Sequence, residues 1–532
     1  MHSVIGPSLL AAVLTAAVAG QGATSGPPGP ASGAGAVTPS WFDGERPRDV
    51  VAGCIEVLSG VAGIGLDPRD YDATGLAARY QALRAAPRPS PADVAELDSR
   101  LTAALGRLLE DAHRGRIDPR SVGFDIDVGA KRLDLPATLR AARDGGGCAA
   151  ALAGVQPQHA AYRRLVEALG RYRALAANGE PPFVPALGPK QRKVEPGQPW
   201  AGVDSLDARL RALGDLPADA PAPERTSDGT PLYAGPVVEG VKRYQDRHAL
   251  EPDGVIGPAT ITALDTPFAA RVRQIELALE RLRWLPEMPE GQFLFVNIPL
   301  FMLWAIDPSE PANALRMRVV TGKSAGHETP VFMDRMEYLV FRPYWYPPPG
   351  IVRNELLPRA RRDPGYLERQ SMEIVARSDD DAEPLPATDE NLALVARGKL
   401  VLRQRPGERN SLGLAKFIFP NANNVYMHGT PAQALFSRAR RDYSHGCIRL
   451  EDPARLAEWL LRDDPEWSRS RIDEAMAGER PHRVRLRKHQ PVVIFYDTVL
   501  VYEDGVTHFA DDYYRHDARL EEALRRRTPT AG

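Results

Sequence analysis

One short stretch near the C-terminus concentrates residue types that can perform nucleophilic chemistry. It spans residues 425–450, VYMHGTPAQALFSRARRDYSHGCIRL, and holds Cys447, one of three cysteines in 532 residues. A cysteine becomes a nucleophile when a base takes its proton and donors hold the resulting negative charge. His428 and His445 are the nearby bases, and Gly446 permits a sharp turn that can present backbone N–H groups to an oxyanion. These residue types favour acyl transfer by a thiol.

Spacing decides which histidine can reach the thiol. His445 lies two residues before Cys447, so an extended segment would point both side chains to one face, whereas a tight turn would separate them. His428 lies 19 residues upstream at the end of the strand-like NVYM, and a hairpin-like return would bring its imidazole beside the thiol. Gly429 follows His428 and leaves room for backbone to approach the ring.

The same stretch has two other interpretations, a metal site and a structural cysteine. A metal site would use His428, His445 and Cys447, but no clear fourth ligand and no CxxC or HxxxH spacing accompanies them. A buried cysteine beside hydrogen-bonded histidines is a common structural arrangement. It does not explain so many reactive residue types in one short stretch. We therefore expect a nucleophile, with no metal and no cofactor.

Length and composition define the broad class. A chain of 532 residues is too long for one ordinary core, so three or four domains are expected. Its hydrophobic content of 43% and charged content of 26% are typical of a globular protein, and the net charge of −2 gives no reason to expect nucleic acid as a partner. The cysteine count is odd, so Cys54 and Cys148 could pair in an oxidising compartment and leave Cys447 free.

The first residues have the pattern of an export signal. Residues 4–19 form a short apolar run that ends in the small-x-small sequence Ala17-Val18-Ala19, which a signal peptidase can cut. The run is too short to span a bilayer. It lacks a preceding Lys or Arg, so an uncleaved anchor and a different start are the alternatives. We expect a signal peptide at 1–19 and a flexible Gly/Pro/Ala/Ser linker at 20–44.

The composition and the spacing of apolar residues change along the rest of the chain. Residues 45–185 are rich in Ala, Leu and Arg at helical spacing, which predicts a helical domain, and residues 201–266 hold further amphipathic helix patterns. From about 290 to 515, alternating and apolar runs predict a mostly β domain. A helix-forming, charged segment at 351–410 interrupts these strands, as lids and substrate-gripping insertions do. Residues 516–532 remain as a C-terminal tail.

Residues 236–265, PVVEGVKRYQDRHALEPDGVIGPATITALD, resemble the small three-helix peptidoglycan-binding domain. The resemblance rests on Tyr244-Gln245, Leu250, Asp253-Gly254, Gly257, Thr260 and Ala263-Leu264. The other interpretation of this segment is a generic helical spacer that uses the same turn chemistry.

The stretch around Cys447 resembles the signature of the L,D-transpeptidases, which rebuild peptidoglycan cross-links. That signature is His-x, about fourteen to seventeen residues, then Ser/Thr-His-Gly-Cys, and here His428-Gly429 precedes Ser444-His445-Gly446-Cys447 by fourteen residues. Residues 319–358 and DDYYRHD near the C-terminus resemble the large periplasmic branch of this family. The resemblance implies a multidomain α+β fold. Its parts are a helical scaffold domain, a three-helix peptidoglycan-binding domain and a mostly β catalytic domain with a partly helical capping insertion.

The resemblance also implies roles for individual residues in catalysis. Cys447 is the expected nucleophile and His428 its general base. The carbonyl of Gly429 would orient the imidazole, as an acid does in a Ser-His-Asp triad. Backbone amides near His445, Gly446 and Cys447 would hold the oxyanion of the tetrahedral intermediate.

Three further residues are expected to shape the substrate pocket. Arg449 would help to place a substrate carboxylate, because a guanidinium can bind a carboxylate with two hydrogen bonds. Tyr426 and Ser444 would line the pocket.

The implied function is a periplasmic cysteine acyltransferase of cell wall biogenesis and cell shape. It would release D-Ala from tetrapeptide stems through a thioester and form 3-3 cross-links between stems. Its implied partners are peptidoglycan stem peptides and other cell-wall synthesis proteins. The alternatives are an L,D-carboxypeptidase, a lipoprotein-anchoring enzyme and a non-catalytic peptidoglycan-binding scaffold.

Overall fold

The computed structural model of the protein describes residues 40–286, 291–310 and 314–527. These residues form two compact units, one of residues 291–496 and one of residues 40–286 with 497–527. The predicted signal peptide at 1–19 lies outside the described residues, as does most of the predicted linker at 20–44. No helix in the described ranges has both the length and the apolar character needed to cross a membrane.

The N-terminal part of the second unit is helical, as the sequence predicts. Its longest helix begins after Ser90, whose hydroxyl accepts the amide of Asp93, and it buries leucines at helical spacing on one face. The helices are α1 Val50–Gly60, α2 Ala73–Ala85, α3 Pro91–Arg114, α4 Leu135–Ala141, α5 Gly147–Val155 and α6 Ala160–Asn178; the extended segments are β1 Phe42–Asp43, β2 Arg46–Pro47 and β3 Phe124–Asp125.

The folded scaffold begins before the predicted linker ends. Trp41 is fully buried, its indole N–H donates to the Thr102 hydroxyl at 2.9 Å, and its amide donates to Asp98 at 2.6 Å. Phe42 is also buried in the same apolar core. The prediction of a flexible linker to residue 44 is therefore corrected at residues 41–44, because an aromatic pair anchors this end of the segment.

A disulfide joins two helices of the scaffold. Cys54 in α1 bonds to Cys148 in α5 across a sequence separation of 94 residues. Both residues belong to the scaffold core. Cys447 is left as the free thiol.

Three helices, α7 Val203–Leu213, α8 Pro236–Arg247 and α9 Pro258–Leu264, form a small domain that matches the predicted patterns. The side chain of Gln245 links the Tyr-Gln pair of the motif to its Asp-Gly turn. The Gln245 side chain accepts the amide of Gly254 at 2.8 Å and donates to the carbonyl of Val255 at 2.9 Å. Gly254 has a φ of +74°, so the turn needs glycine and the glutamine holds it in place.

A long helix, α10 Phe268–Trp284, continues the second unit from the small domain. Arg281, fully buried in α10, forms an ion pair with Asp517 at 2.5 Å. Asp517 lies within residues 516–532, which the sequence predicted to be a C-terminal tail. That prediction is corrected, because residues 516–526 fold into a helix on this unit instead.

The unit of residues 291–496, which holds the predicted catalytic residues and is therefore called the catalytic unit, is built on strands that close into a barrel. The strands of this unit are β4 Phe293–Asn297, β5 Met302–Ile306, β6 Leu315–Gly322, β7 Val331–Phe341, β8 Met372–Val375, β9 Pro384–Leu385, β10 Val401–Gln404, β11 Ala415–Ile418, β12 Met427–His428, β13 Asp442–Ser444, β14 Ile448–Leu450 and β15 His482–Phe495. Hydrogen-bonded neighbours follow the circuit β7, β11, β12, β14, β6, β5, β4 and β15, and β15 pairs with β7 again. Such closure leaves no free edge along the circuit.

The capping insertion leaves and rejoins the barrel at one point. Phe341 at the end of β7 is paired with Ala415 at the start of β11, so the segment between them forms a single excursion. The excursion contains α11 Pro349–Ile351, a π-helical turn Val352–Leu356, α12 Leu357–Arg362, α13 Tyr366–Arg369 and α14 Asp389–Ala396, with β8 to β10 as a small sheet. Its apolar side chains form a core of their own. The sequence predicted a partly helical insertion at 351–410; its partly helical character is confirmed, and the excursion runs from residue 342 to residue 414.

The chain completes both units after the barrel closes. Helices α15 Pro453–Leu461 and α16 Arg469–Ala477 precede β15 in the catalytic unit. That unit ends at Tyr496, whereas the sequence predicted a domain to residue 515. Strands β16 Val499–Val501 and β17 Thr507–Phe509 form a hairpin in the second unit, and α17 His516–Arg526 follows.

We predict that the double variant Cys54→Ser, Cys148→Ser loses stability in the scaffold while its catalytic unit remains folded. Opening a covalent loop of this size restores entropy to the unfolded chain, so the local free energy of unfolding should fall by about 2–4 kcal/mol. Amide hydrogen exchange of α1 and α5 in the full chain measures this change. Unchanged protection of both helices would contradict a stabilising role, and the alkylation rate of Cys447 serves as the control for the catalytic unit.

Candidate active site

The pairing of β12 with β14 brings the predicted base and nucleophile to adjacent strands. Met427 is paired with Ile448 and His428 with Arg449 in parallel register. The expected hairpin-like return is therefore wrong in direction, although the two segments are neighbours as predicted. Parallel strands need a crossover, and the chain makes it through residues 429–447, which include a short 3-10 helix at Gln433–Ser437.

The alternation of side chains along these strands collects the reactive groups on one face. Side chains two residues apart on a strand point the same way, and directly paired residues share a face. Arg449 and Cys447 are two residues apart, as are His428 and Tyr426. Lys416 in β11 is paired with His428. One row of the barrel wall thus carries thiol, imidazole, phenol and two cations.

Cys447, the predicted nucleophile, is preceded by a turn whose backbone conformation favours glycine. Gly446 has a φ of +112°, which L side chains rarely adopt. The Ser444 hydroxyl accepts the Gly446 amide at 3.1 Å and donates to the Cys447 carbonyl at 2.5 Å. The Thr329 hydroxyl donates to the Gly446 carbonyl at 2.8 Å. Ser444 and Thr329 therefore hold the turn from its two sides, and Thr329 is a residue that the sequence motif does not reveal.

The structure of this turn indicates which backbone amides can donate hydrogen bonds to an oxyanion. The amide of Gly446 is engaged by Ser444. The amides of His445 and Cys447 donate no hydrogen bond within the described ranges. These two N–H groups therefore remain available for the oxygen of a tetrahedral intermediate.

The imidazole of His428 is oriented by backbone. His428 is 5% exposed, and its Nδ1 lies 2.5 Å from the carbonyl oxygen of Gly429. Because a carbonyl can only accept, Nδ1 carries the proton and Nε2 has the free lone pair of a base. Gly413 (φ +63°) packs directly against the backbone that follows His428, since a Cβ there would lie 2.6 Å from the Thr430 amide nitrogen.

His445 points away from the thiol and towards the capping insertion. Its Nε2 lies 2.9 Å from the Glu355 carboxylate, which belongs to the π-helical turn of the insertion. Its ring also contacts that of His327 edge-on, with centroids 4.8 Å apart. Of the two alternatives for His445 and Cys447, the tight turn is the one that the structure has.

Burial keeps both the thiol and the imidazole neutral. Burial raises the pKa of the Cys447 thiol, although hydrogen bonds from Tyr426 and the charge of Lys416 act in the opposite direction. Burial, followed by the charge of Arg449, lowers the pKa of His428 to about 3. At neutral pH the proton therefore stays on sulfur, and His428 is a neutral base that can accept it during attack.

The two cations of the row have no carboxylate partner. No ion pair joins Lys416 or Arg449 to an acidic side chain in the part of the chain that the structure describes, and the buried Nε of Arg449 has no hydrogen-bond acceptor there. Arg449 was predicted from the motif. Lys416 was not, because it lies on another strand and only the register of β11 brings it to the row.

The metal interpretation required His428, His445 and Cys447 to converge on one point. They do not, because His445 bonds to Glu355. Within the described ranges, no three His, Cys, Asp or Glu side chains form a group that could hold a metal ion.

Comparison with known families covers all three predicted parts of the chain. Residues 291–494 match the L,D-transpeptidase catalytic domain, residues 35–169 the scaffold domain, and residues 201–264 the "Putative peptidoglycan binding domain". The catalytic unit is therefore similar to domains of a family of cysteine-dependent acyltransferases. In particular, residues 291–494 are similar to the L,D-transpeptidase catalytic domain, and the predicted family resemblance is confirmed.

A curated relative supports the same family. A protein of Haemophilus influenzae named "Putative L,D-transpeptidase" is 28% identical over 251 residues, which cover 47% of this chain and 49% of the relative. The chain thus aligns with about half the length of this relative.

We predict that the alkylation rate of Cys447 by iodoacetamide rises steadily with pH from 7 to about 10. The thiolate reacts, and burial raises the thiol pKa above its ordinary value, so the thiolate fraction should still be growing at pH values where an ordinary thiol has levelled off. Peptide mass spectrometry at each pH gives the rate, with free N-acetylcysteine as the reference thiol. A plateau that begins near pH 6 would instead mean a preformed thiolate–imidazolium pair.

Proposed function

We propose that the protein is an L,D-transpeptidase that joins peptidoglycan stems through a thioester on Cys447. The observation that carries the proposal is the single row that holds a free thiol together with a buried, neutral His428, whose Nδ1 is held by the Gly429 carbonyl. This row provides a nucleophile, an oriented base and two free backbone amides at the attacked carbonyl.

In the first half-reaction, the thiol attacks the L,D peptide bond that precedes the terminal D-Ala of a tetrapeptide stem. His428 Nε2 takes the proton as the Cys447 sulfur bonds to the carbonyl carbon. The oxygen of the tetrahedral intermediate accepts hydrogen bonds from the His445 and Cys447 amides. The C–N bond then breaks, the leaving amine takes the proton from His428, and D-Ala departs with a thioester left on the enzyme.

In the second half-reaction, an amine replaces D-Ala. The side-chain amine of a diaminopimelate on a neighbouring stem attacks the thioester carbon, and His428 accepts its proton. The sulfur leaves and is protonated by His428, which restores the starting state and gives a 3-3 cross-link. No cofactor takes part in either step.

The remaining parts of the chain suit work on the cell wall. The three-helix domain of the peptidoglycan-binding type would hold the polymer near the catalytic unit. The scaffold would dock other cell-wall synthesis proteins. A disulfide in the scaffold fits an oxidising compartment, and with the apolar leader it supports export to the periplasm and a role in cell shape.

We predict that the full chain converts isolated tetrapeptide muropeptides into 3-3 dimers with release of D-Ala, and that Cys447→Ala abolishes both products. Without the sulfur there is no covalent intermediate, so the loss should reach at least about 10³-fold. Liquid chromatography with mass spectrometry resolves dimers, tripeptides and free D-Ala. The Cys54→Ser, Cys148→Ser variant is a matched control, since it removes two other sulfurs and leaves the row intact.

The products also separate the alternatives. Tripeptides and D-Ala without dimers would identify a carboxypeptidase. Transfer only to a lysine-containing peptide acceptor would identify an anchoring enzyme. Full dimer formation by Cys447→Ala would contradict the proposal, and no reaction of the wild type would leave a binding scaffold.

A further inference from the structure

Lys416 stands in the same row of the barrel wall as the reactive groups. It is paired with His428, which is paired with Arg449 on its other side. Neighbouring strands lie about 4.8 Å apart, so the backbones of the two cationic residues are separated by about 10 Å with the imidazole between them. Lys416 is thus placed to contact a substrate on the side of His428 opposite Arg449.

The surroundings of Lys416 give it no partner of opposite charge. Its ammonium lies 4.0 Å from the centre of the Tyr426 ring, a cation–π contact that positions it without neutralising it. No acidic side chain pairs with it in the described ranges. Asp380 of the capping insertion acts on its charge from a distance, but that carboxylate accepts the Tyr346 hydroxyl at 3.0 Å.

Lys416 is partly buried, and a partly buried ammonium with no carboxylate partner is costly unless a ligand supplies the missing charge. Burial lowers the pKa of Lys416, and the anionic form of Cys447 acts against that shift. Burial also lowers the pKa of Arg449, and the anionic form of Cys447 again acts against that shift. Because the thiol itself is protonated at neutral pH, it does not neutralise two cations. The row therefore favours an anionic ligand with charges at two places.

We propose that Lys416 is a specificity residue that binds a carboxylate of the acyl-donor stem, a second one beside that bound by Arg449. This inference rests on the proposed function. A tetrapeptide stem carries carboxylates on both sides of the scissile bond, one on the terminal D-Ala and one on the diaminopimelate side chain. Two cations whose backbones lie about 10 Å apart fit two such groups.

The test compares Lys416→Met and Lys416→Arg with wild type on three donors. The donors are the tetrapeptide, its D-alaninamide analogue and its analogue with an amidated diaminopimelate side chain. Lys416→Met should lower kcat/KM for the unmodified donor about 10- to 100-fold, mainly through KM, and Lys416→Arg should recover most of it. With wild type, kcat/KM should fall by a similar factor for the one donor whose amidation removes the carboxylate that Lys416 binds. With that donor, Lys416→Met should cause no further fall in kcat/KM. Lys488→Met, at an exposed lysine of β15, is the matched control.

Either outcome of this comparison is decisive. An equal loss on all three donors, or no loss on any, would overturn the role of Lys416. The amidated donor whose kcat/KM no longer depends on Lys416→Met identifies which carboxylate the lysine binds. The iodoacetamide rate of Cys447 in each variant verifies that the row is intact.

A failure of the proposed function would be visible separately. If wild type forms no thioester with the tetrapeptide, calorimetric titration of the tetrapeptide into full-length Cys447→Ala, with and without Lys416→Met, tests the lysine alone. Weaker binding by at least about tenfold in the double variant would support the carboxylate contact. Equal binding would overturn it.

Discussion

The parallel register of β12 against β14 is the constraint on which the candidate site depends. It fixes His428 opposite Arg449 and thereby sets Cys447 opposite Tyr426, so that alternate residues of both strands face one side. A slip of β14 by one residue would turn Cys447 and Arg449 to the face opposite that of His428 and Tyr426. The Gly446 turn supports this register, because it delivers the chain into β14 with the thiol on the correct side.

The electrostatics of the row follow from burial among cations. A histidine beside two positive charges resists protonation, so His428 is a base without being half of an ion pair. The same charges attract the carboxylates of a peptide stem and would stabilise sulfur as it loses its proton. Glu355 of the capping insertion bonds to His445 and so joins the cap to the loop of the nucleophile. In the proposed mechanism, substrate binding and thiol activation therefore both depend on Lys416, Arg449 and His428, while His445 links the loop of Cys447 to the cap.

Local sequence patterns predicted the helices and the signature residues of this protein. They did not predict the features that depend on pairing between distant strands. The helices of the scaffold and of the small domain follow from apolar spacing, and Cys447, His428 and Gly429 follow from the signature. The parallel direction of β12 and β14 does not, because a hairpin and a crossover have similar sequences over so short a segment. Lys416 was missed for the same reason, since only the register of β11 places it beside His428.

The central claim is that Cys447 carries the acyl group between two stems. Intact mass spectrometry of the full chain, quenched with acid within seconds of mixing with tetrapeptide, tests it most directly. We predict an added mass equal to the tetrapeptide less D-Ala, located on Cys447, sensitive to hydroxylamine and absent from Cys447→Ala. Product formation with no such adduct, or an adduct on another residue, would contradict a thioester mechanism at this site.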